Sequence, residues 1–118
     1  LKKNQDERGS FTEFLRSPDR GQVSGNVAKP GITKGQHWHH TKNEKFLVVS
    51  GEALIQFRKI GAQQVIEYHV SGDEMKVIDI PTGYTHNIIN VGDTDLITVM
   101  WASEPFNPDR PDTYYEKV

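Results

Sequence analysis

Three of the chain's five histidines stand together in His37-Trp38-His39-His40, with Glu44 just beyond them and His86 past the Pro81-Thr82-Gly83 turn. In a strand, successive side chains point to opposite faces, so His37 and His39 share one face while Trp38 and His40 take the other. Two imidazoles from one strand, a carboxylate from the next and a third imidazole from a distant strand form an N/O donor set for a divalent cation, zinc foremost. The expected ligands are His37, His39, Glu44 and His86. A bulge at His40 would bring that residue in place of His39. Trp38 is expected to pack on the outer side of its strand. His69 stands alone and reads as structural or solvent-facing.

The elements that must position these residues are strands. Runs rich in Val, Ile, Thr and aromatics fall at Phe11–Leu15, Gly21–Ala28, Gln36–His40, Lys45–Ser50, Ala53–Lys59, Gln63–His69, Met75–Ile80, Thr85–Val91 and Leu96–Ala102. Turn pairs such as Pro30-Gly31, Ser50-Gly51, Ile60-Gly61 and Gly92-Asp93 separate them. No segment keeps helical spacing long enough for a substantial helix. Many short strands with evenly spaced turns predict an all-β sandwich or barrel. The Pro-rich stretch Glu104–Val118 reads as an extended surface arm. Its Tyr114-Tyr115 pair docks either on a partner subunit or on its own barrel.

Bulk properties narrow the class. The 118 residues fit one domain. A formal net charge of −2 gives no electrostatic case for nucleic acid or an anionic membrane. The absence of cysteine excludes disulfides and thiolate ligands and fits a reducing compartment. No run reaches the length of a membrane span. Cytoplasmic location is therefore expected. The first residue is Leu1 rather than Met, which is expected of a processed chain or of a piece of a longer one.

The run from Gly31 through His37, His39 and Glu44 to Gly51 resembles the first cupin motif, and Pro81-Thr-Gly83-Tyr-Thr-His86-Asn-Ile-Ile-Asn90 resembles the second. The resemblance implies a cupin fold, a double-stranded β-helix or jelly-roll barrel, over residues 1–118. The glycine that usually opens the second motif would fall at Met75. The nearest is Gly72, a departure that reads as a slightly longer turn.

Asp6-Glu7-Arg8-Gly9-Ser10-Phe11-Thr12-Glu13 resembles the D-x-R-G-x-F-x-E segment of cupins that act on nucleotide-linked keto sugars. Taken whole, the chain is similar to the C-terminal cupin domain of the bifunctional capsular-polysaccharide enzymes of the CapF type. That resemblance implies C3 epimerisation of a UDP-linked 2-acetamido-4-keto-6-deoxy sugar on the way to N-acetyl-L-fucosamine precursors. It also implies a reductase domain N-terminal to the cupin, and a homodimer. Arg8 and Glu13 match residues that grip the nucleotide in the related thymidine-diphospho-keto-sugar 3,5-epimerases, and His37 matches their catalytic base. Gln22 and Lys34 are expected contacts for uracil, phosphate or sugar hydroxyls.

Zinc held by four protein ligands is closed, whereas catalytic zinc keeps an open position. His37 is therefore expected to be either a weak ligand or the base. Tyr84 is expected either to supply an acid across the pocket or to cover the barrel mouth. Lys42 and Lys45 read as surface charges. Two other functions compete: another metal-cupin isomerase or dioxygenase, and a metal-stabilised module for dimerisation or substrate docking beside the reductase.

Overall fold

The computed structural model describes residues 3–118, all strand and turn. Eleven strands form two sheets: β1 (Lys3–Asp6), β2 (Gly9–Ser17), β3 (Gly21–Ala28), β4 (Thr33–Trp38), β5 (Glu44–Ser50), β6 (Glu52–Lys59), β7 (Ile66–Ser71), β8 (Val77–Ile80), β9 (Tyr84–Asn90), β10 (Leu96–Ala102) and β11 (Tyr114–Tyr115). One sheet runs β1-β2-β3-β10-β5-β8 and the other β11-β4-β9-β6-β7. This is the jelly-roll architecture expected from the motifs. Strands β3 and β10 match the expected runs to the residue, and the others differ by a few residues at their ends. Strand β1 and the short β11 were not expected.

Alternation builds the core. Phe46 and Val48 of β5, Ile78 and Ile80 of β8, and Leu96 of β10 point inward from one sheet. Ala53, Ile55 and Phe57 of β6 and Ile88 of β9 meet them from the other. Strand β3 breaks the apolar pattern: its buried face carries Gln22, Ser24 and Asn26 before Ala28. A polar inward ladder of this kind lines a cavity rather than a dry core. Strand β9 is buried on both faces, Thr85 through Ile88 in succession. The C-terminal tail covers its outer side, where the Thr85 hydroxyl donates to the Glu116 carbonyl and the Val118 amide donates to Gln36.

A bulge in β4 sets the site. Lys34 lies opposite Ile88 and Gly35 opposite Asn87, but the next paired residue is His37, opposite His86. The extra residue is Gln36, at φ 61°, beside Gly35 at φ 100°. Strict alternation would send Lys34 and His37 to opposite faces, and the bulge turns both inward. It lies one step before His37 and so leaves the His37–His39 pair together.

Gly35 is required twice over. A Cβ there would lie 2.8 Å from the His86 carbonyl oxygen, and φ is in the left-handed region. At the position where the second motif usually has glycine, Met75 itself adopts φ 50°, so the unusual backbone is kept rather than replaced by a longer turn.

Two measurements check these strains. Gly35→Ala should lower unfolding stability by about 1–3 kcal/mol in denaturant titration. Met75→Gly should instead raise it, by up to about 1 kcal/mol, because the side chain is 54% exposed and its loss removes little packing.

Candidate metal centre

The four residues singled out by spacing converge where the two sheets meet. His37 and His86 are cross-strand neighbours on β4 and β9, His39 lies one residue past the end of β4, and Glu44 opens β5 in the opposite sheet. One ligand atom from each lies within 4.8 Å of all the others. The ring centroids of His37 stand 5.0 Å from His39 and 4.7 Å from His86. Glu44 Oε1 lies 2.6 Å from His39 Nε2 and 3.1 Å from His86 Nε2. His39 and His86 are buried, whereas His37 is half-buried.

The second ring nitrogens fix the tautomers. His39 Nδ1 lies 2.6 Å from the carbonyl oxygen of Asp112, and His86 Nδ1 lies 3.3 Å from that of Tyr84. A carbonyl only accepts, so each Nδ1 carries a proton, and each Nε2 is the nitrogen that faces Glu44. His86 Nε2 is buried, and its approach to Glu44 lacks hydrogen-bond geometry, so it has no partner. Buried polar atoms are rarely left so. An orphaned imidazole nitrogen beside a second one and a carboxylate fits a divalent cation.

Electrostatics agree with that fit. Burial alone would push the Glu44 carboxyl up, but the facing His39 and His86 imidazoles outweigh it and hold it well below the usual carboxylate range. His37 is pushed down to about 4, first by burial and then by the neighbouring His86 and His39 imidazoles. It is a neutral imidazole near neutral pH.

The arm beyond residue 104 packs on its own barrel. Tyr114 and Tyr115 pair with Trp38 and His37 as an edge strand, and Trp38 stacks on Tyr114 at 4.7 Å, on the outer side as expected. Asp112 is its anchor. Its carboxylate accepts the amides of His40 at 2.8 Å, Thr41 at 2.7 Å and Lys42 at 3.1 Å, and the Thr41 hydroxyl at 2.9 Å. Burial raises this carboxyl, but the Thr41 and His40 amides prevail and hold it at about 2. No sequence pattern marked Asp112, because its partners lie some 70 residues away.

A cavity of about 920 Å³ opens over the cluster, and its wall includes Arg8, Glu13, Gln22 and Lys34. Arg8 forks onto Asp6 through Nε at 3.2 Å and Nη2 at 2.8 Å. Glu13 is held by Arg16 at 2.6 Å. Gln22 donates to Ser24 at 3.1 Å and accepts the Phe106 amide at 2.9 Å. Lys34 donates to Asn26 Oδ1 at 2.8 Å and to the Val27 carbonyl at 3.0 Å. Burial first, then the charge of Arg8, lowers its pKa.

Tyr84 does not join this wall. Its ring packs edge-on to Phe57, centroids 5.9 Å apart. His69 is exposed and Lys45 pairs with Asp79, both as expected. Lys42 corrects the reading as a surface charge: its backbone is pinned by Asp112, and its side chain is buried in the cavity wall. Arg16 and Phe106 also line the cavity, and only proximity in the fold reveals them.

The sequence matches the family described as "Polysaccharide biosynthesis C-terminal domain" over residues 4–114. It is 42% identical over 111 residues to the UDP-2-acetamido-2,6-beta-L-arabino-hexul-4-ose reductase of Pseudomonas aeruginosa, covering 94% of this chain and 30% of that protein. The crystal structure of the capsular polysaccharide assembling protein CapF from Staphylococcus aureus superposes with a TM-score of 0.98 at 64% identity, over 100% of this chain and 34% of that one. The chain thus spans about a third of the length of these two relatives. The Drosophila melanogaster CENP-C cupin domain shares the fold at 16% identity, with a TM-score of 0.71 over 87% of this chain and 75% of that one. The fold is a cupin.

Asp112→Asn should weaken divalent-cation binding by about tenfold in chelator competition, because the side chain that pins the His40, Thr41 and Lys42 amides, and so seats the Asp112 carbonyl against His39, loses its charge. The stability gap between this variant and the wild type should also depend on pH. The folded carboxyl lies at about 2 against an ordinary 3.8, so its contribution is present above pH 3.8 and fades as pH falls toward 2.

Proposed function

Because the chain belongs to the polysaccharide biosynthesis C-terminal domain family, we propose that it epimerises C3 of a UDP-linked 2-acetamido-4-keto-6-deoxy sugar for capsular polysaccharide, on the way to N-acetyl-L-fucosamine. The observation that carries this reading is the cluster of three imidazoles and a carboxylate at the base of a large polar cavity. The relative named for a UDP-linked 4-keto sugar supports the substrate class. In this reading the chain is the cupin part of a longer cytoplasmic protein whose preceding domain is a reductase. A relative matched over only 30% of its length supports that arrangement. No helix among the described residues is long and apolar enough to cross a membrane.

His39, Glu44 and His86 would hold the cation, zinc being suited to these ligands, and His37 either completes the set or stands free. When bound, such a cation supplies electrophilic stabilisation of the negative charge that develops on the substrate's ketone oxygen. A proton on the carbon beside a ketone is otherwise too weakly acidic for an imidazole to remove. His37 is the base in this proposal. It is neutral, faces the cavity and is the least buried of the three imidazoles. It takes the C3 proton, and reprotonation on the opposite face gives the epimer. Gln22 and the ladder beyond it on β3 offer hydrogen bonds to sugar hydroxyls. A homodimer belongs to the proposal as well. Phe14 and Leu15, neighbours on β2 that are 50% and 58% exposed, offer it an apolar surface.

The test is proton NMR of the purified protein with the keto sugar nucleotide in deuterated water. The C3 proton signal should vanish, survive in the presence of a chelator and vanish again once zinc is restored. His37→Asn should slow exchange by about a hundredfold or more. A folded, metal-loaded protein that exchanges nothing would turn the reading toward a docking or dimerisation module. Exchange that persists without metal would leave the cation a structural role.

A further inference from the structure

Four cationic side chains line the cavity: Arg8, Arg16, Lys34 and Lys42. Three are already engaged. Arg8 is held by Asp6, Arg16 by Glu13, and Lys34 by the oxygens of Asn26, Val27 and Ser10. Lys42 differs. It is only 7% exposed, yet among the described residues its ammonium meets no carboxylate and no hydrogen-bond acceptor. The ring of Phe106 lies 5.7 Å from it. The ammonium is not sealed in the protein but opens on the cavity, where its three donors are left to a ligand.

The chain holds this arrangement deliberately in place. Asp112 pins the Lys42 amide, and Ser103 pins the Asn43 amide at 3.0 Å, so the loop directs Lys42 inward. Phe106 is fixed on both sides of its backbone: its amide donates to Gln22 at 2.9 Å and its carbonyl accepts from Arg16 at 3.0 Å. Its ring stays 43% exposed. A cation without an acceptor beside an open aromatic face, both in the cavity wall, is suited to an anion carried by a planar group.

We infer that Lys42 binds the diphosphate of the nucleotide-linked substrate, with Phe106 beside it facing the nucleoside. The identity of the anion rests on the function proposed above. With the sugar at the histidines, the diphosphate must lie toward the mouth, and Phe106 stands there partly open to solvent. Arg8, which the resemblance assigns to the nucleotide, and Lys34, expected at uracil, phosphate or sugar hydroxyls, already make bonds to protein oxygens.

The test is isothermal titration of the metal-loaded protein with inorganic pyrophosphate and with UDP. Lys42→Met should weaken both by about tenfold or more, while Lys42→Arg keeps most of the affinity and Lys45→Met changes nothing. On the wild type, pyrophosphate should also protect Lys42, and not Lys45, from reductive methylation read by mass spectrometry. This readout needs no variant to fold. Unchanged pyrophosphate and UDP binding by folded Lys42→Met, or no protection of Lys42, would overturn the inference. The two readings fail separately. Pyrophosphate binding that depends on Lys42, without C3 exchange, would leave the anion site and remove the keto-sugar reaction. C3 exchange with pyrophosphate binding indifferent to Lys42 would do the reverse.

Discussion

A single carboxylate, Glu44, must stay ionised while almost enclosed by imidazoles, and much of the molecule is arranged around that demand. Its oxygen lies 2.6 Å from His39 and 3.1 Å from His86, across the gap between two sheets. An isolated charge so placed would neutralise rather than persist. Here two imidazoles, each oriented by a backbone carbonyl on its far nitrogen, favour the charged form through hydrogen bonding and positive charge at the nitrogens that face it. The sheets are thus joined at this end by an electrostatic seam. At the other end an ordinary apolar core joins them.

That seam depends on backbone devices more than on the ligands themselves. The bulge at Gly35 and Gln36 rotates His37 into line with His86, and without it β4 would present Trp38 and Gln36 to the cavity. The Asp112 carboxylate then holds the loop that carries the chain from His39 to Glu44. One loop thereby serves two ends: it spaces the ligands correctly and turns Lys42 inward.

Much of this could be read from the sequence. The apolar runs of β5, β6 and β10 mark strands, but β5 and β10 are nearly continuous in apolar character, so only the fold shows that Val48 and Leu96 face inward while Ile97 is exposed. The cluster of four candidate ligands was legible because a strand has a period of two, helped by the rarity of histidine. Other parts carried no local signal. Gln36 at φ 61° is a residue type that gives no hint of a left-handed backbone. Lys42 looks like any hydrophilic loop residue until Asp112 fixes its amide. Tyr84 has the spacing of a pocket residue, yet its ring finds Phe57 instead. Asp112 and Phe106 sit in a Pro-rich stretch whose composition suggests only an extended arm, and their partners lie far off in the chain. In each case the missing information is a long-range contact.

The tail's bond to His39 also ties the site to a distant part of the chain. Asp112 follows His39 by 73 residues, so a ribosome that has already made all the ligands has not yet made the brace for one of them. Strands β4 and β9 can pair and gather their imidazoles without this segment, but the His39 ring is fixed only when the stretch that carries Asp112 lies down along the edge of the sheet. Metal captured before that moment would meet a looser, less selective set of donors. The geometry of the candidate centre thus depends on an edge strand that lies some 70 residues further along the chain.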